Sequence, residues 1–421
     1  MHQRNITQQL KEALTDTPVI LITGARQTGK TTLARDLIFA PQDFPGRYAT
    51  LDDLEVLAAA KADPAGFLAT LSASGEPMIL DEIQHAPELL PVIKSSVDRD
   101  RRPGRFLLTG SANVLVLPKV SESLAGRVEL LTLWPLSQAE LAGKTTSFID
   151  FLFSDEAMGS LPARTEAMDR AELVGRVLAG GYPEALTRTA KRRQDWFSSY
   201  LTTILQRDVR DLANIEGLTQ IPRLMSLLAT RSASLLNLAD LSRTLPLPYT
   251  TLQRYMALLE ATYLIKLLPA WSSNLGTRLL KTPKLLMTDT GLGGYLMGVS
   301  QSRVVEEPGL LGGLLENFVA LELIKDAGWS QTTPSFYHWH TAKREEVDVL
   351  MESRDGRLVG VEVKASSSVS SSDFKGLRAL QKLVGEKFHR GILLYSGQHV
   401  LPFGEGLYAV PLSALWHGLA P

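Results

Sequence analysis

Residues 18–32 read PVILITGARQTGKTT, and this stretch decides the fold of the amino-terminal third. Pro18 to Thr23 is a short apolar run of the kind buried in a parallel sheet, and Gly24 ends it. Gly24-Ala25-Arg26-Gln27-Thr28-Gly29-Lys30-Thr31 then matches G-x-x-x-x-G-K-[ST] at every fixed position, and from Lys30 through Thr32 the chain enters an amphipathic helical stretch. Glycines are needed because such a loop turns its backbone N–H groups inward around phosphate oxygens. The free amides at the start of the following helix add to that anion site. Lys30 is placed to reach the β- and γ-phosphates, and the Thr31 hydroxyl to complete the shell of a Mg²⁺ ion. ATP and Mg²⁺ are therefore the expected ligands, held by residues 24–32.

Outward from this loop, further strand-like runs occur at RYATLDD (47–53), PMILDE (77–82) and RFLLTGS (105–111), with helical stretches at 30–38, 54–61 and 87–98 between them. Strands alternating with helices predict an α/β unit with a parallel sheet. The run Met78-Ile79-Leu80 ends in Asp81 and Glu82. A carboxylate at the carboxyl end of a neighbouring strand is where Mg²⁺ needs its anchor, which is the role expected of Asp81. Glu82 is placed to polarise the water that attacks the γ-phosphate. Ser111 and Thr109, and Asn113 just beyond, are candidates for holding that water or sensing the γ-phosphate. Arg127 is a candidate arginine finger, acting within its own chain or on a neighbouring copy, with a plain surface ion pair as the alternative.

The set GARQTGKTTLA, YATLDD, MILDEIQHAPELL, LLTGSAN and SLAGR resembles the bacterial and archaeal AAA-type ATPases that carry a carboxy-terminal domain of unknown function. The resemblance continues through GGYPEAL (180–186), YLTTILQRDVRD (200–211) and MTDTGL (287–292), so it covers nearly the whole chain. It implies a P-loop core, a helical lid, a winged-helix segment and a restriction-endonuclease-like domain. It also implies ATP and Mg²⁺ binding by Gly29, Lys30, Thr31 and Asp81, with Glu82 catalytic.

The texture of the chain changes twice, after ELLTLWPLS (129–137) and again near 311. Boundaries are expected at 1–135 for the ATPase core, 136–230 for the helical lid, 231–300 for the winged-helix-like segment and 301–421 for the last domain. In the third of these, helices over about 238–245 and 249–262 followed by an apolar hairpin (YLIKLLPAW) have the layout of a winged helix-turn-helix. Thr250, Thr251, Gln253 and Arg254 should face outward and Leu252, Met256 and Leu259 inward. Few basic residues accompany them, which leaves DNA contact and a structural role both open. The basic cluster Lys191-Arg192-Arg193 reads as a solvated helix face.

In the last domain, FYHWHT, EEVDVLME, RLVGVEVKAS and RGILLYSG each fit a strand behind one long helix. Glu362 and Lys364 should point to one face of their strand, beside Asp348 on another. An Asp, a Glu and a Lys so placed form a Mg²⁺ site suited to phosphodiester hydrolysis. Glu316, on a semi-buried helix face, is costly without a partner such as a metal or a lysine. Asp348, Glu362, Lys364 and Glu316 look like the D-…-E-x-K core of restriction-endonuclease-type folds. A retained scaffold that does not cleave is the competing reading.

At 421 residues the chain has length for about three domains. Lys+Arg at 44 against Asp+Glu at 45 exclude a polybasic protein and argue against tight non-specific DNA binding. The absence of cysteine removes disulfides, thiolate metal sites and cysteine nucleophiles. No apolar run approaches the roughly 18 residues needed to span a bilayer, and the amino end lacks a signal-peptide core, so a cytoplasmic protein without a membrane partner is expected. The expected function is Mg²⁺-dependent ATP hydrolysis coupled to a nuclease-like domain that binds DNA, with RNA left open and self-association compatible. The alternative is a nucleotide-gated interaction ATPase with a non-cleaving last domain.

Overall fold

The computed structural model describes residues 2–39, 46–72, 76–111, 125–156, 158, 168–206 and 220–417. Ala112, Asn113, Ser123, Leu124 and residues 207–211 of the stretches quoted above lie outside them. The chain divides into two compact units. One comprises Arg4–Pro135 with Ala261–Tyr263. The other comprises Met1–Gln3, Leu136–Glu260 and Leu264–Pro421.

The first unit is a five-stranded parallel sheet of β1 (Val19–Thr23), β2 (Arg47–Thr50), β3 (Met78–Asp81), β4 (Phe106–Gly110) and β5 (Val128–Thr132), in the order β2-β3-β4-β1-β5. All five residues of β1 are buried, as continuous burial on both faces of a parallel sheet demands. Val19 and Leu21 join a core with Leu51, Leu80, Leu90, Ile93 and Leu108 on one face. Ile20 and Ile22 face the other way, onto Leu10 of α1 (Thr7–Asp16) and Leu33 of α2 (Lys30–Phe39). Because β4 lies between β1 and β3, the carboxyl ends of three adjacent strands open onto one crevice, the place where ligands bind in open α/β sheets.

The larger unit begins helical, with Arg170–Ala179, Ala190–Ile204 and Ile221–Thr230 among its helices. Helices Leu238–Thr244 and Tyr249–Ala261 follow, with Leu252, Met256 and Leu259 buried and Thr250, Gln253 and Arg254 exposed, as the sequence predicts, whereas Thr251, expected outward, is half-buried. The expected hairpin within 263–271 does not form. That run supplies a single strand, β6 (Ile265–Leu268), which pairs antiparallel with β7 (Lys284–Met287) across an intervening helix, Leu275–Leu280. Each apolar strand finds its partner some sixteen residues away because no turn residue sits inside the first.

The rest is a six-stranded mixed sheet, β8 (Ser335–His340), β9 (Glu346–Glu352), β10 (Leu358–Lys364), β11 (Phe388–Tyr395), β12 (Leu401–Gly404) and β13 (Leu407–Pro411), in the order β12-β13-β11-β10-β9-β8. Helix Lys375–Val384 packs Leu377 and Leu380 onto Leu350, Leu358 and Leu393. A sixteen-residue helix, α3 (Leu311–Asp326), is buried almost all round. From it, Asn317 accepts a hydrogen bond from the Met287 N–H at 2.7 Å and donates one to the Met287 carbonyl at 2.8 Å. Asn317→Leu strands both backbone groups in the interior. At ~1–3 kcal/mol per unsatisfied group, it should lower the unfolding free energy by about 2–6 kcal/mol, read as a shifted urea midpoint. An unchanged midpoint would refute this role. Among the described residues no helix is long and apolar enough to cross a membrane.

Candidate functional site

The phosphate loop leaves β1 with Gly24 at φ +144°, where an added Cβ would stand 2.2 Å from the Leu133 carbonyl oxygen. Only glycine allows that approach. Gly29 is at φ +94°, where an added Cβ would stand 3.9 Å from the Arg4 guanidinium, so its backbone conformation rather than crowding calls for glycine. Within the loop the Thr28 hydroxyl donates to the Ala25 carbonyl at 3.0 Å. The buried Lys30 ammonium donates to the carbonyls of Gly24 at 3.0 Å and Ala25 at 2.8 Å. Arg4 braces the loop from outside, donating to the Thr28 and Trp134 carbonyls at 2.7 Å each. Arg26 is half-buried, and Gln27 and Thr32 are exposed.

At the end of β3 the Asp81 carboxylate is buried among hydroxyls. The Thr31 hydroxyl lies 3.0 Å from both its oxygens, Tyr48 donates to it at 2.9 Å, and Thr109 donates to it from β4. Burial, with the neighbouring Asp81 carboxylate, pushes the Tyr48 phenol up to about 12, so it remains a donor. Thr31 and Asp81 together form an all-oxygen donor set, which suits a hard cation such as Mg²⁺.

Glu82 sits beside this pair in a left-handed conformation (φ 59°), its N–H donating to the Thr109 hydroxyl at 3.1 Å. Burial raises its carboxyl. Lys30, a hydrogen bond from Gln84, Arg26 and His85 outweigh that and hold it below its ordinary value, hence ionised at neutral pH. The Gln84 amide donates both to Glu82 and, at 3.0 Å, to the Ser111 hydroxyl. The structure therefore brings Lys30, Thr31, Asp81, Glu82 and Ser111 together at the carboxyl ends of β1, β3 and β4. Tyr48, Gln84 and Arg4 were not singled out. Nothing local marks them, since their partners lie up to 130 residues away.

Arg127 is the exception. It immediately precedes β5, whose Val128 pairs with Val19 and whose Thr132 pairs with Thr23. The phosphate loop follows Thr23, so Arg127 stands at the opposite end of the sheet, ~16 Å of strand away at about 3.3 Å per residue. There it donates to Asp98 at 2.6 Å and to the Ala125 carbonyl at 2.9 Å. Action within its own chain is excluded by that topology. Only a second copy could bring Arg127 to a nucleotide.

In the larger unit, Glu316 and Asp348 meet around a residue the sequence does not single out, and Glu362 pairs with Lys364 within electrostatic reach of Asp348. Lys284, on β7 and 7% exposed, donates to Asp348 at 3.1 Å and pairs with Glu316 at 3.5 Å. The other Asp348 oxygen accepts the Val363 N–H at 3.0 Å, and Lys364 donates to Glu362 at 2.9 Å. Burial and the Asp348 charge push the Glu316 carboxyl up to about 7 and that of Glu362 up to about 8. Among the described residues no three His, Asp or Glu side chains are arranged to hold a metal ion. The residues present do not fit the expected Mg²⁺: the cation between these carboxylates is a lysine. His338 and His340 stack at 5.3 Å, and His338 meets the Thr282 carbonyl at 3.1 Å, a structural contact.

A model of an AAA domain matches residues 16–142. Two models described as domains of unknown function match 170–303 and 311–415. An uncharacterized protein of Mycobacterium tuberculosis and one of Mycobacterium bovis are each 33% identical over 416 residues, covering 98% of this chain and 84% of the relative. Among solved structures, AMPPCP-bound DnaA from Aquifex aeolicus aligns at 16% identity and a TM-score of 0.25, covering 61% of this chain and 86% of that one. A STAND protein with a tetratricopeptide repeat sensor from Pyrococcus horikoshii aligns at 13% identity and a TM-score of 0.27, covering 76% and 45%.

Proposed function

We propose that this chain, which belongs to the same family as the two mycobacterial proteins and whose residues 16–142 form an AAA domain, binds ATP with Mg²⁺ and hydrolyses it. The observation that carries the reading is the Thr31 hydroxyl on the Asp81 carboxylate at the carboxyl end of β3, with Glu82 next along the chain, beside the phosphate loop. Lys30 exchanges the Gly24 and Ala25 carbonyls for β- and γ-phosphate oxygens. Thr31 and Asp81 hold Mg²⁺, which when bound neutralises charge on the phosphates. Glu82, already ionised, accepts the proton of the attacking water as the bond from the γ-phosphorus to ADP breaks. Ser111 contacts the γ-phosphate, and Gln84 links that contact to Glu82. An arginine finger at Arg127 requires a second copy.

For residues 301–421 there are two readings: a nuclease-like domain acting on DNA or RNA, and a non-cleaving scaffold gated by the ATPase. Lys284 favours the second, because its ammonium lies where hydrolysis would need the metal. The exposed Thr250, Gln253 and Arg254 on helix Tyr249–Ala261 then offer a contact face to nucleic acid or protein.

The test is steady-state ATP turnover with and without single- and double-stranded DNA and RNA, alongside Lys30→Ala and Asp348→Ala. The same Mg²⁺ reactions are searched for cleavage products. Turnover that depends on Lys30, with no product, is expected. Products lost in Asp348→Ala would restore the nuclease reading, and turnover indifferent to Lys30 would end the ATPase reading.

A further inference from the structure

Lys284 is held in place by backbone on both sides. In β7 it pairs with Leu268 of β6 and, on its other flank, with Leu235. Next to it, the Leu236 N–H donates to the Pro283 carbonyl at 2.9 Å and the Leu285 N–H to the Ser234 carbonyl at 2.9 Å. The end of β6 is tied in turn to β8, the Trp271 N–H donating to the His338 carbonyl at 2.7 Å and the His338 N–H to the Pro269 carbonyl at 2.9 Å. The ammonium is therefore delivered to Asp348 and Glu316 by a clamped strand, not by a surface side chain free to swing away.

Asp348 and Glu316 hold the ammonium, and Glu362 lies within electrostatic reach of Asp348. Asp348 is 4% exposed and has one oxygen on Lys284 and the other on the Val363 N–H. Glu362 is 6% exposed, and while one of its oxygens takes Lys364, the other, Oε2, is buried without a hydrogen-bond partner. A divalent ion would need these oxygens at about 2.0–2.6 Å and a near-regular shell. Each Asp348 oxygen already has one partner, and on one of them the ammonium takes up the space a metal would need.

We infer that Lys284 is a built-in cation for this cluster, that its ammonium holds the metal position and keeps divalent ions out, and that removing it converts the cluster into a divalent-cation site. The inference rests on the scaffold reading of residues 301–421.

The experiment counts Mn²⁺ bound to the full chain without nucleotide, by electron paramagnetic resonance, in the wild type, Lys284→Met and Lys284→Arg, each with and without Asp348→Asn. Wild type and Lys284→Arg should show no Mn²⁺ that Asp348→Asn removes. Lys284→Met should gain one such ion per chain, bound at least tenfold more tightly than anything Asp348-dependent in the wild type. Lys284→Gln repeats the test if methionine unfolds the unit, which circular dichroism reports. An Asp348-dependent Mn²⁺ in the wild type overturns the inference without any lysine variant. So does a folded Lys284→Met or Lys284→Gln that gains none. Cleavage products that depend on Asp348 in the wild type would instead remove the scaffold reading beneath it, and are scored separately.

Discussion

Replacing Glu82 with glutamine is expected to lower ATP turnover by about 10²–10⁴-fold while leaving nucleotide affinity nearly unchanged. Glutamine has the same shape, so the left-handed backbone and the N–H bond to Thr109 survive. What is lost is the proton acceptor. Lys30, Gln84 and Arg26 keep the Glu82 carboxyl ionised despite its burial, and an amide has no such basicity. The check is single-turnover hydrolysis beside equilibrium binding of a fluorescent ATP analogue. Turnover within about threefold of wild type, less than one general base typically contributes, would show that another group takes the proton.

The complementary result is expected at Lys30. Truncating one partner of a buried charge pair costs about 2–5 kcal/mol, so Lys30→Ala should weaken ATP binding by roughly 30-fold to several thousand-fold. Part of that loss arises before nucleotide arrives. Without the ammonium, the Gly24 and Ala25 carbonyls lose the donor that holds the empty loop in shape. Calorimetric titration with ATP measures the affinity, and thermal unfolding without ligand separates the two contributions. Affinity that falls less than tenfold would mean that the loop amides, and not Lys30, dominate phosphate binding.

These positions were legible because their signals are local. The phosphate loop sits between a buried strand and a helix within fifteen residues, and MILDE ends a strand in the two acids the chemistry needs. Four of the five parallel strands follow from the same apolar runs, while β5, overlapping the stretch 129–137, is legible only as a change of texture. The pairings that complete the site were not legible. Tyr48 reaches Asp81 across 33 positions and Lys284 reaches Asp348 across 64, and no periodicity encodes such meetings. Strands β12 and β13 escaped for a different reason. LPFG is short, mostly exposed and contains both proline and glycine, so it reads as a loop until a neighbour supplies its hydrogen bonds. The hairpin expected within 263–271 failed likewise, since an apolar run states that it will be buried but not against which strand.

Tyr263 has a practical bearing on how the protein can be taken apart. Its hydroxyl donates to Thr23 at 2.7 Å, one residue before the phosphate loop, and its ring stands edge-on to Trp134 with centroids 5.8 Å apart. With Ala261 and Thr262 it belongs to the nucleotide-binding unit, although more than a hundred residues separate it from Pro135. A truncation after Pro135, the natural place to cut by sequence, discards a piece of that unit's own interior. The polypeptide is not modular in the sense that its length arithmetic suggests. An excised AAA fragment would be a different molecule beside its own nucleotide site, and dissection by domain swapping or limited digestion would have to carry the 261–263 segment along.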